Sequence, residues 1–116
     1  MDIQSEPLVV TSTENGFRLR FVGPIHTNVT WLEHELDNVV NAKPRDVEID
    51  LNGTEYISSL GLGVLVGFQT RIQKNGGAVR IVAIPKATLK LFKTAFLDRV
   101  FKIEPSAIAA LEQPQG

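Results

Sequence analysis

The sequence predicts a single α/β domain, in which a mixed β-sheet begins with an N-terminal hairpin and about four helices pack largely on one face of the sheet. Three observations predict this class. Strand-like and helix-like segments follow one another in the order β-β-α-β-α-β-α-β-α. Only the first two strands are close enough in sequence to form a hairpin, across Glu14-Asn15-Gly16. Each later pair of strands is separated by a helix, as in parallel strands joined by right-handed crossovers.

The hairpin and the first helix follow from local patterns near the N-terminus. Residues 8–10 and 17–22 are predicted strands, and the second alternates apolar with basic residues, which is typical of a hairpin at the edge of a sheet. The first helix is predicted from Thr30, which has capping-box spacing to Glu33, to about Asn41. Its apolar stripe consists of Trp31 or Leu32, Leu36, Val39 and Val40.

The middle of the chain predicts a strand, a helix and a further strand. In the strand 47–51, the apolar residues Val47, Ile49 and Leu51 point to one face. The next helix is predicted over residues 59–74. Its apolar stripe consists of Leu62, Leu65, Val66, Phe68 and Ile72, and its polar residues are Gln69, Arg71, Gln73 and Lys74. Residues 79–84 are almost continuously apolar, which favours a central strand with both faces covered.

The C-terminal third predicts two helices around a short strand. Pro85 lies near the first turn of a helix, as is common for proline. The buried side of this helix is expected to consist of Leu89, Phe92 and Ala95. Residues 101–103 form a last short strand, and Ser106 is expected to cap a final helix over residues 107–112.

Composition limits the size and the class of the protein. The 116 residues, 43% of them hydrophobic, suffice for one domain over 1–116, with a core at about 8–111 and a loose tail at 113–116. The formal net charge of −1 argues against direct nucleic-acid binding. The absence of cysteine excludes disulfides and thiolate metal sites. No signal-like start or long apolar run is present, so we expect a cytoplasmic protein without membrane insertion.

The segment Ile57-Ser58-Ser59-Leu60-Gly61-Leu62-Gly63-Val64 places two serines at the start of the predicted helix 59–74. Unpaired backbone N–H groups and the helix dipole at this position favour either a hydroxyl cap or a phosphate. The segment alone therefore permits two interpretations. Ser58 and Ser59 cap the helix, or one of them receives a phosphate.

This segment resembles the STAS domain of bacterial anti-sigma factor antagonists. Phe21-Val22-Gly23-Pro24-Ile25 and Leu89-Lys90-Leu91-Phe92 share the resemblance, which covers about residues 8–111 and implies a STAS-like fold. In that family a serine at the start of the second helix is phosphorylated by a partner that is both a serine kinase and an anti-sigma factor. Only the unphosphorylated form binds this partner productively. Placing the family's Gly-Leu-Gly on Gly61-Leu62-Gly63 makes Ser59 the expected phosphorylation site.

The resemblance implies a module that regulates transcription and signal transduction, not an enzyme. Its expected partner is an anti-sigma factor/serine kinase, and we expect no catalytic residue, no cofactor and no metal. His26 and His34, the only histidines, are not at metal-ligand spacing. The expected partner-binding residues are Ile25, His26, Thr54, Tyr56, Ser58, Leu60 and Gly61.

Two other functions stay open at this point. The first is a constitutive STAS scaffold, without phosphorylation, in a larger signalling or lipid-transport assembly. The second is a nucleotide or small-anion binder that uses the helix N-terminus, although Val66 stands where a dinucleotide fingerprint has its third glycine. A homodimer or a larger assembly is also left open.

Overall fold

The computed structural model describes residues 8–26 and 28–112, without the side chain of Glu112. The predicted loose tail at 113–116 lies outside the described residues. The strands are β1 Leu8–Ser12, β2 Gly16–Val22, β3 Asp46–Gly53, β4 Ala78–Ala83 and β5 Lys102–Ile103. The helices are α1 Thr30–Asn41, α2 Ser59–Lys74, α3 Lys86–Thr94 and α4 Pro105–Glu112, with a 3-10 turn at Leu97–Arg99.

The five strands form one mixed sheet in the order β1-β2-β3-β4-β5. β1 and β2 pair antiparallel, and every other neighbouring pair is parallel. The predicted mixed sheet with one N-terminal hairpin is therefore confirmed. The strand predicted at 79–84 is an interior strand of the sheet as expected, because β4 pairs with β3 on one side and with the edge strand β5 on the other.

The core lies on one face of the sheet. Because side chains alternate along a strand, β2, β3 and β4 each bury every second residue beneath the helices. These buried strand residues are Leu19, Phe21, Val47, Ile49, Leu51, Val79 and Ile81. Helices α1 and α2 complete the same core with Leu32, Leu36, Val39, Val40, Leu65, Phe68 and Ile72.

The opposite face of the sheet carries charged side chains. Arg18, Glu48 and Arg80 lie in register on β2, β3 and β4. Arg80 donates to both carboxylate oxygens of Asp46, at 3.0 and 2.9 Å, and to Glu48 at 2.9 Å, while Arg18 donates to Glu48 at 3.0 Å. The prediction that both faces of residues 79–84 are covered is therefore wrong, since Arg80 and Val82 are only partly buried. Because Val82 is apolar although it is only partly buried, the sequence of this strand resembles that of a strand covered on both faces.

Three helix details differ from the sequence prediction. Thr30 does not cap α1, because Val29 precedes the helix and its carbonyl accepts from the Glu33 N–H at 2.9 Å. Gln69 is buried, because its Nε2 donates to the carbonyl of Val100 at 3.2 Å. Ala95 is exposed just after α3, which ends at Thr94.

The start of the final helix also differs. α4 begins at Pro105, so that Ser106 lies inside the first turn instead of capping it. Proline suits this position because its missing N–H would have no partner within the helix. Ala107 is the residue of this turn that enters the core.

Asp46→Asn is expected to lower the free energy of unfolding at neutral pH by on the order of 1 kcal/mol, since the ion pair with Arg80 is partly exposed. The hydrogen bonds from Arg80, aided by its charge and opposed by burial, hold the pKa of the Asp46 carboxyl below its ordinary value. A lowered folded-state pKa means that this stabilisation is present above the unfolded-state pKa and is lost as pH falls through the folded-state pKa.

Urea unfolding of wild type and Asp46→Asn between neutral and acidic pH measures this effect. The difference in unfolding free energy should hold down to about pH 5 and then shrink as the pH falls further. The exposed Glu14, in the hairpin turn, provides the control variant Glu14→Gln, which should change the free energy of unfolding at neutral pH less than Asp46→Asn does. A pH-independent difference for Asp46→Asn would contradict the assignment.

Candidate functional site

The candidate site lies where α2 begins, and two segments distant in sequence hold it in place. Ile25, just after β2, forms an isolated parallel bridge with Ile57. The Ile25 N–H donates to the carbonyl of Tyr56 at 2.9 Å, and the Ser58 N–H donates to the carbonyl of Ile25 at 2.8 Å. Both isoleucines are buried. The start of α2 is thus attached to the segment that leads from β2 to α1.

Gly61 allows the first turn of α2 to approach that segment closely. A Cβ at position 61 would lie 2.7 Å from Cγ2 of Ile25 and 3.1 Å from Cγ2 of Ile57. The first distance is shorter than real Cβ contacts, so any side chain here would displace buried atoms. Glycine is therefore explained by packing at this position.

Ser58 is the N-cap of α2 and has an extended backbone conformation. Its Oγ accepts a hydrogen bond from the Gly61 N–H at 3.1 Å and donates one to the carbonyl of His26 at 2.6 Å. Only 5% of the residue is exposed. The Ser58 hydroxyl therefore satisfies one of the unpaired N–H groups of α2 and also joins α2 to the segment after β2.

Ser59 is the first residue of α2, and it is exposed. Within the described part of the chain, its hydroxyl has no hydrogen-bond partner, and the first turn of α2 contains no acidic residue. The positive end of the helix dipole favours negative charge at this position. The two adjacent serines thus differ, because the Ser58 hydroxyl is enclosed and the Ser59 hydroxyl is accessible.

The surface around Ser59 combines exposed apolar side chains with the acidic residues Glu33, Asp37 and Glu55. Leu60 and Tyr56 are 56% and 52% exposed, and Leu91 of α3 is 38% exposed. The Tyr56 ring lies against that of His26, with 5.6 Å between centroids. We call His26, Tyr56, Ser59, Leu60 and Leu91 the Ser59 surface. Exposed large apolar groups in one area are typical of protein–protein contact surfaces.

Two depressions lie beside Ser59. A groove of about 670 Å³ runs between α1 and α2, with Leu60, Gly63 and Arg71 among its lining residues. A smaller depression of about 270 Å³ reaches α3 at Ala87. Ser59 lines both, so a partner that fills either one would contact this residue.

The structure divides the sequence-predicted partner-binding residues into two groups. His26, Tyr56 and Leu60 are exposed together with Ser59. Four of the residues expected on the surface are buried, namely Ile25, Thr54, Ser58 and Gly61, the last of which has no side chain. Ile25, Thr54 and Ser58 are therefore poorly placed for direct side-chain contact with a partner. Their packing and hydrogen bonds shape the surface from beneath.

Leu91 was not predicted as part of the site, although its sequence contains a signal. In Leu89-Lys90-Leu91-Phe92, the residues Leu89 and Phe92 are three apart and share the buried side of α3. Leu91 must then face away from the core, which leaves an apolar side chain in solvent. Its proximity to Ser59 depends on the packing of α3 against α2 and could not be obtained from spacing.

The described residues include neither a cluster of metal-ligating side chains nor a helix that could cross a membrane. There, no group of three or more His, Asp or Glu side chains is placed to hold a metal ion. His26 follows β2 and His34 lies on the exposed side of α1. The described helices include none that is long and apolar enough to cross a bilayer.

Comparison with known proteins identifies similar chains. The family model of the STAS domain matches residues 8–110. The anti-sigma-B factor antagonist of Bacillus subtilis (strain 168) is 26% identical over 94 residues, which cover 81% of this chain and 86% of that protein.

Solved structures show the same fold. The crystal structure of an anti-sigma factor antagonist from Mycobacterium paratuberculosis superposes with a TM-score of 0.75 at 25% identity, covering 91% of this chain and 93% of that one. Bacillus SpoIIAA in its phosphorylated form superposes with a TM-score of 0.65 at 13% identity, covering 89% of this chain and 96% of that one. The expected STAS-like fold is confirmed.

Proposed function

The chain belongs to the STAS domain family, and on that premise we propose that it is an antagonist of an anti-sigma factor. Its partner would be an anti-sigma factor that is also a serine kinase, and the Ser59 surface would bind it. In this proposal the chain is the substrate of a kinase and catalyses no reaction itself. Phosphorylation of Ser59 would release the partner.

The accessibility of Ser59 beside the enclosed Ser58 is the observation that carries the proposal. A kinase needs a hydroxyl that can enter its active site, and Ser59 is exposed without a competing hydrogen bond among the described residues. Ser58 could be phosphorylated only after its bonds to Gly61 and His26 had been broken. Of the two serines, Ser59 is therefore the better acceptor.

The free domain should tolerate a phosphate on Ser59. The phosphate adds about 1.5 to 2 negative charges and three acceptor oxygens. At the first residue of α2 it meets the positive end of the helix dipole, which stabilises an anion by roughly 0.3 to 1 kcal/mol. The phosphorylated domain should therefore stay folded.

The same phosphate should oppose partner binding. Leu60, Tyr56 and Leu91 offer apolar contact, and a partner that covers them also takes Ser59 out of water. A dianion buried there without an opposing cation would cost several kcal/mol. The phosphate would act on association and leave the fold unchanged. Bacillus SpoIIAA, which has the same fold, is known in a phosphorylated and an unphosphorylated form, which supports this proposal.

Affinity capture from the native lysate tests the proposal, with wild type, Ser59→Ala and Ser59→Asp as baits and phosphosite mass spectrometry on the recovered wild type. We expect wild type to carry phosphate on Ser59. The captured kinase should bind Ser59→Ala normally and Ser59→Asp at least tenfold more weakly, which corresponds to about 1.4 kcal/mol. Thermal unfolding of the three free proteins should show that all are folded.

Ser106→Asp is the matched control for added charge. Ser106 is also an exposed serine in the first turn of a helix, but it lies on α4. This variant should bind the kinase as well as wild type does. Equal capture by Ser59→Ala and Ser59→Asp, with Ser59 unmodified, would contradict the switch and favour a constitutive scaffold.

A further inference from the structure

A second groove lies between α3 and α4, outside the Ser59 surface. It has a volume of about 700 Å³. Its apolar side chains are Leu89 from α3 and Ile108 and Leu111 from α4. Leu89 is buried and the other two are half-buried, so apolar surface remains open to a ligand. We call this the α3–α4 groove.

Three lysines line the α3 side of the groove. Lys86, Lys90 and Lys93 are spaced i, i+4 and i+7, so they form one stripe that is about 10 Å long on the helix. All three are exposed. Among the described residues no acidic side chain lines the groove.

The α4 side of the groove carries no charge from Pro105 to Leu111. Ile108 and Leu111 of α4 line the groove and are half-buried, while Ala109 and Ala110 are exposed on the same helix without lining it. A surface helix is usually charged on its solvent side, whereas between Pro105 and Leu111 this one exposes Ser106, Ala109 and Ala110. The groove therefore combines an apolar floor, one cationic wall and one uncharged wall.

The spacing of the lysines favours a helical ligand. An amphipathic helix with carboxylates at i, i+4 and i+7 places negative charge at the same intervals as the three lysines. Its apolar stripe would at the same time contact Leu89, Ile108 and Leu111, which is the helix-in-groove mode of recognition. The rise of 1.5 Å per residue is common to both helices, so the match extends along the whole stripe.

Lipid ligands fit the groove less well. A single anionic acyl chain carries its charge at one end and would reach only part of a 10 Å stripe. A bilayer surface supplies distributed charge, but it is flat on this scale and would not reach apolar side chains at the bottom of a groove. Charge and shape together favour a protein helix.

We propose that the α3–α4 groove is a second protein-docking surface, and that its occupant is an acidic amphipathic helix of a partner protein. This surface adds to the Ser59 surface and does not depend on phosphorylation. Ala87 lines both the α3–α4 groove and the depression beside Ser59, so the two surfaces are continuous across α3. One partner could contact both, or two partners could compete along α3.

A display library of 16-residue helical peptides, randomised at eight positions, tests the proposal on the full chain. Selection on wild type is followed by counter-selection on a variant with Lys86→Glu, Lys90→Glu and Lys93→Glu. We expect enriched peptides to carry Asp or Glu at i, i+4 and i+7 beside an apolar stripe. They should bind the triple variant at least tenfold more weakly than wild type. Lys90→Glu alone should weaken binding at least threefold, which keeps the test valid if the triple variant does not fold.

A control variant carries the same change of charge elsewhere. Lys43, Arg45 and Lys74 are exposed and do not line the groove, so their joint replacement by Glu should change peptide affinity less than twofold. NMR shifts in wild type should cluster at Ala87, Lys90, Ile108 and Leu111 on peptide addition. Ser59→Asp should bind the peptide as wild type does, which separates this proposal from the one on phosphorylation.

Three results would overturn the proposal. Enriched peptides without acidic residues would show that the three lysines do not select the ligand. Peptides that bind both triple variants equally, or that shift resonances outside the groove, would remove the assigned location. Flotation of wild type with phosphatidylglycerol vesicles, lost in the groove variant and unaccompanied by peptide binding, would assign the groove to a lipid surface instead.

Discussion

Phe92→Ala is expected to lower the free energy of unfolding by about 3 to 5 kcal/mol, which is the usual cost of removing a fully buried phenyl ring. Phe92 has no exposed surface, and its ring lies 5.6 Å from that of Phe101, measured between centroids. These two rings connect α3 to the segment that precedes β5. Because a domain of this size has a total stability of roughly 5 to 15 kcal/mol, the loss is a large part of it.

Leu91→Ala is the matched control, since it removes an apolar side chain from the neighbouring position of the same helix. Leu91 is 38% exposed, so Leu91→Ala should lower the free energy of unfolding by less than about 1 kcal/mol. Urea unfolding of both variants gives the comparison. If Phe92→Ala cost no more than Leu91→Ala, the placement of α3 on the core would be wrong. That result would also remove the basis for both surfaces along α3.

Ser58→Ala is expected to lower the free energy of unfolding by about 2 to 4 kcal/mol, whereas Ser59→Ala should leave it almost unchanged. The first variant loses the N-cap, which is typically worth about 1 kcal/mol. It also leaves the His26 carbonyl without the Ser58 hydroxyl, and an unsatisfied partly buried acceptor costs roughly 1 to 3 kcal/mol. Ser59 makes neither contact among the described residues.

Chemical unfolding of the two alanine variants in one buffer measures this difference. The comparison is well matched, because both substitutions remove one hydroxyl from adjacent positions. Amide hydrogen exchange should in addition show faster exchange at Gly61 in Ser58→Ala, since its N–H donates to the lost oxygen. Equal losses of stability in the two variants would contradict the distinct roles assigned to the serines.

Local signals were sufficient to predict most elements of the fold. The bounds of α2 were predicted because both ends carry a signal, serines at the start and Asn75-Gly76-Gly77 after Lys74. Gly76 has a φ of 88°, in the left-handed region that glycine adopts readily. The hairpin was predicted because its strands are close in sequence and one of them alternates clearly.

Features that depend on distant contacts could not be predicted in this way. Gln69 is polar and sits on a helix, so its burial required knowledge of the Val100 carbonyl, 31 residues away. The pairing of β5 with β4 likewise joins distant segments, and a two-residue strand leaves little pattern in the sequence. Local patterns do not contain either contact.

The candidate site also combines features that local patterns predict with features that depend on distant contacts. The motif predicted that serines begin α2, and the resemblance selected Ser59. The reason that Ser58 is the buried one is the His26 carbonyl, which lies 32 residues earlier in the chain. The burial of Ile25 and Thr54 likewise depends on how the segment after β2 meets the segment before α2. Sequence reasoning therefore proposed a candidate site but did not separate its exposed residues from the buried ones beneath them.

The Ser58 hydroxyl bridges two backbone segments, and we expect this bridge to hold the backbone beneath Ser59 as a rigid platform before any partner binds. A rigid platform loses little conformational entropy on association, so more of the contact energy appears as affinity. It also means that adding or removing a phosphate should leave the coordinates of this platform nearly identical. Methods that report shape, such as scattering or backbone superposition, should then miss the change, whereas methods that report charge, such as isoelectric focusing, should detect it.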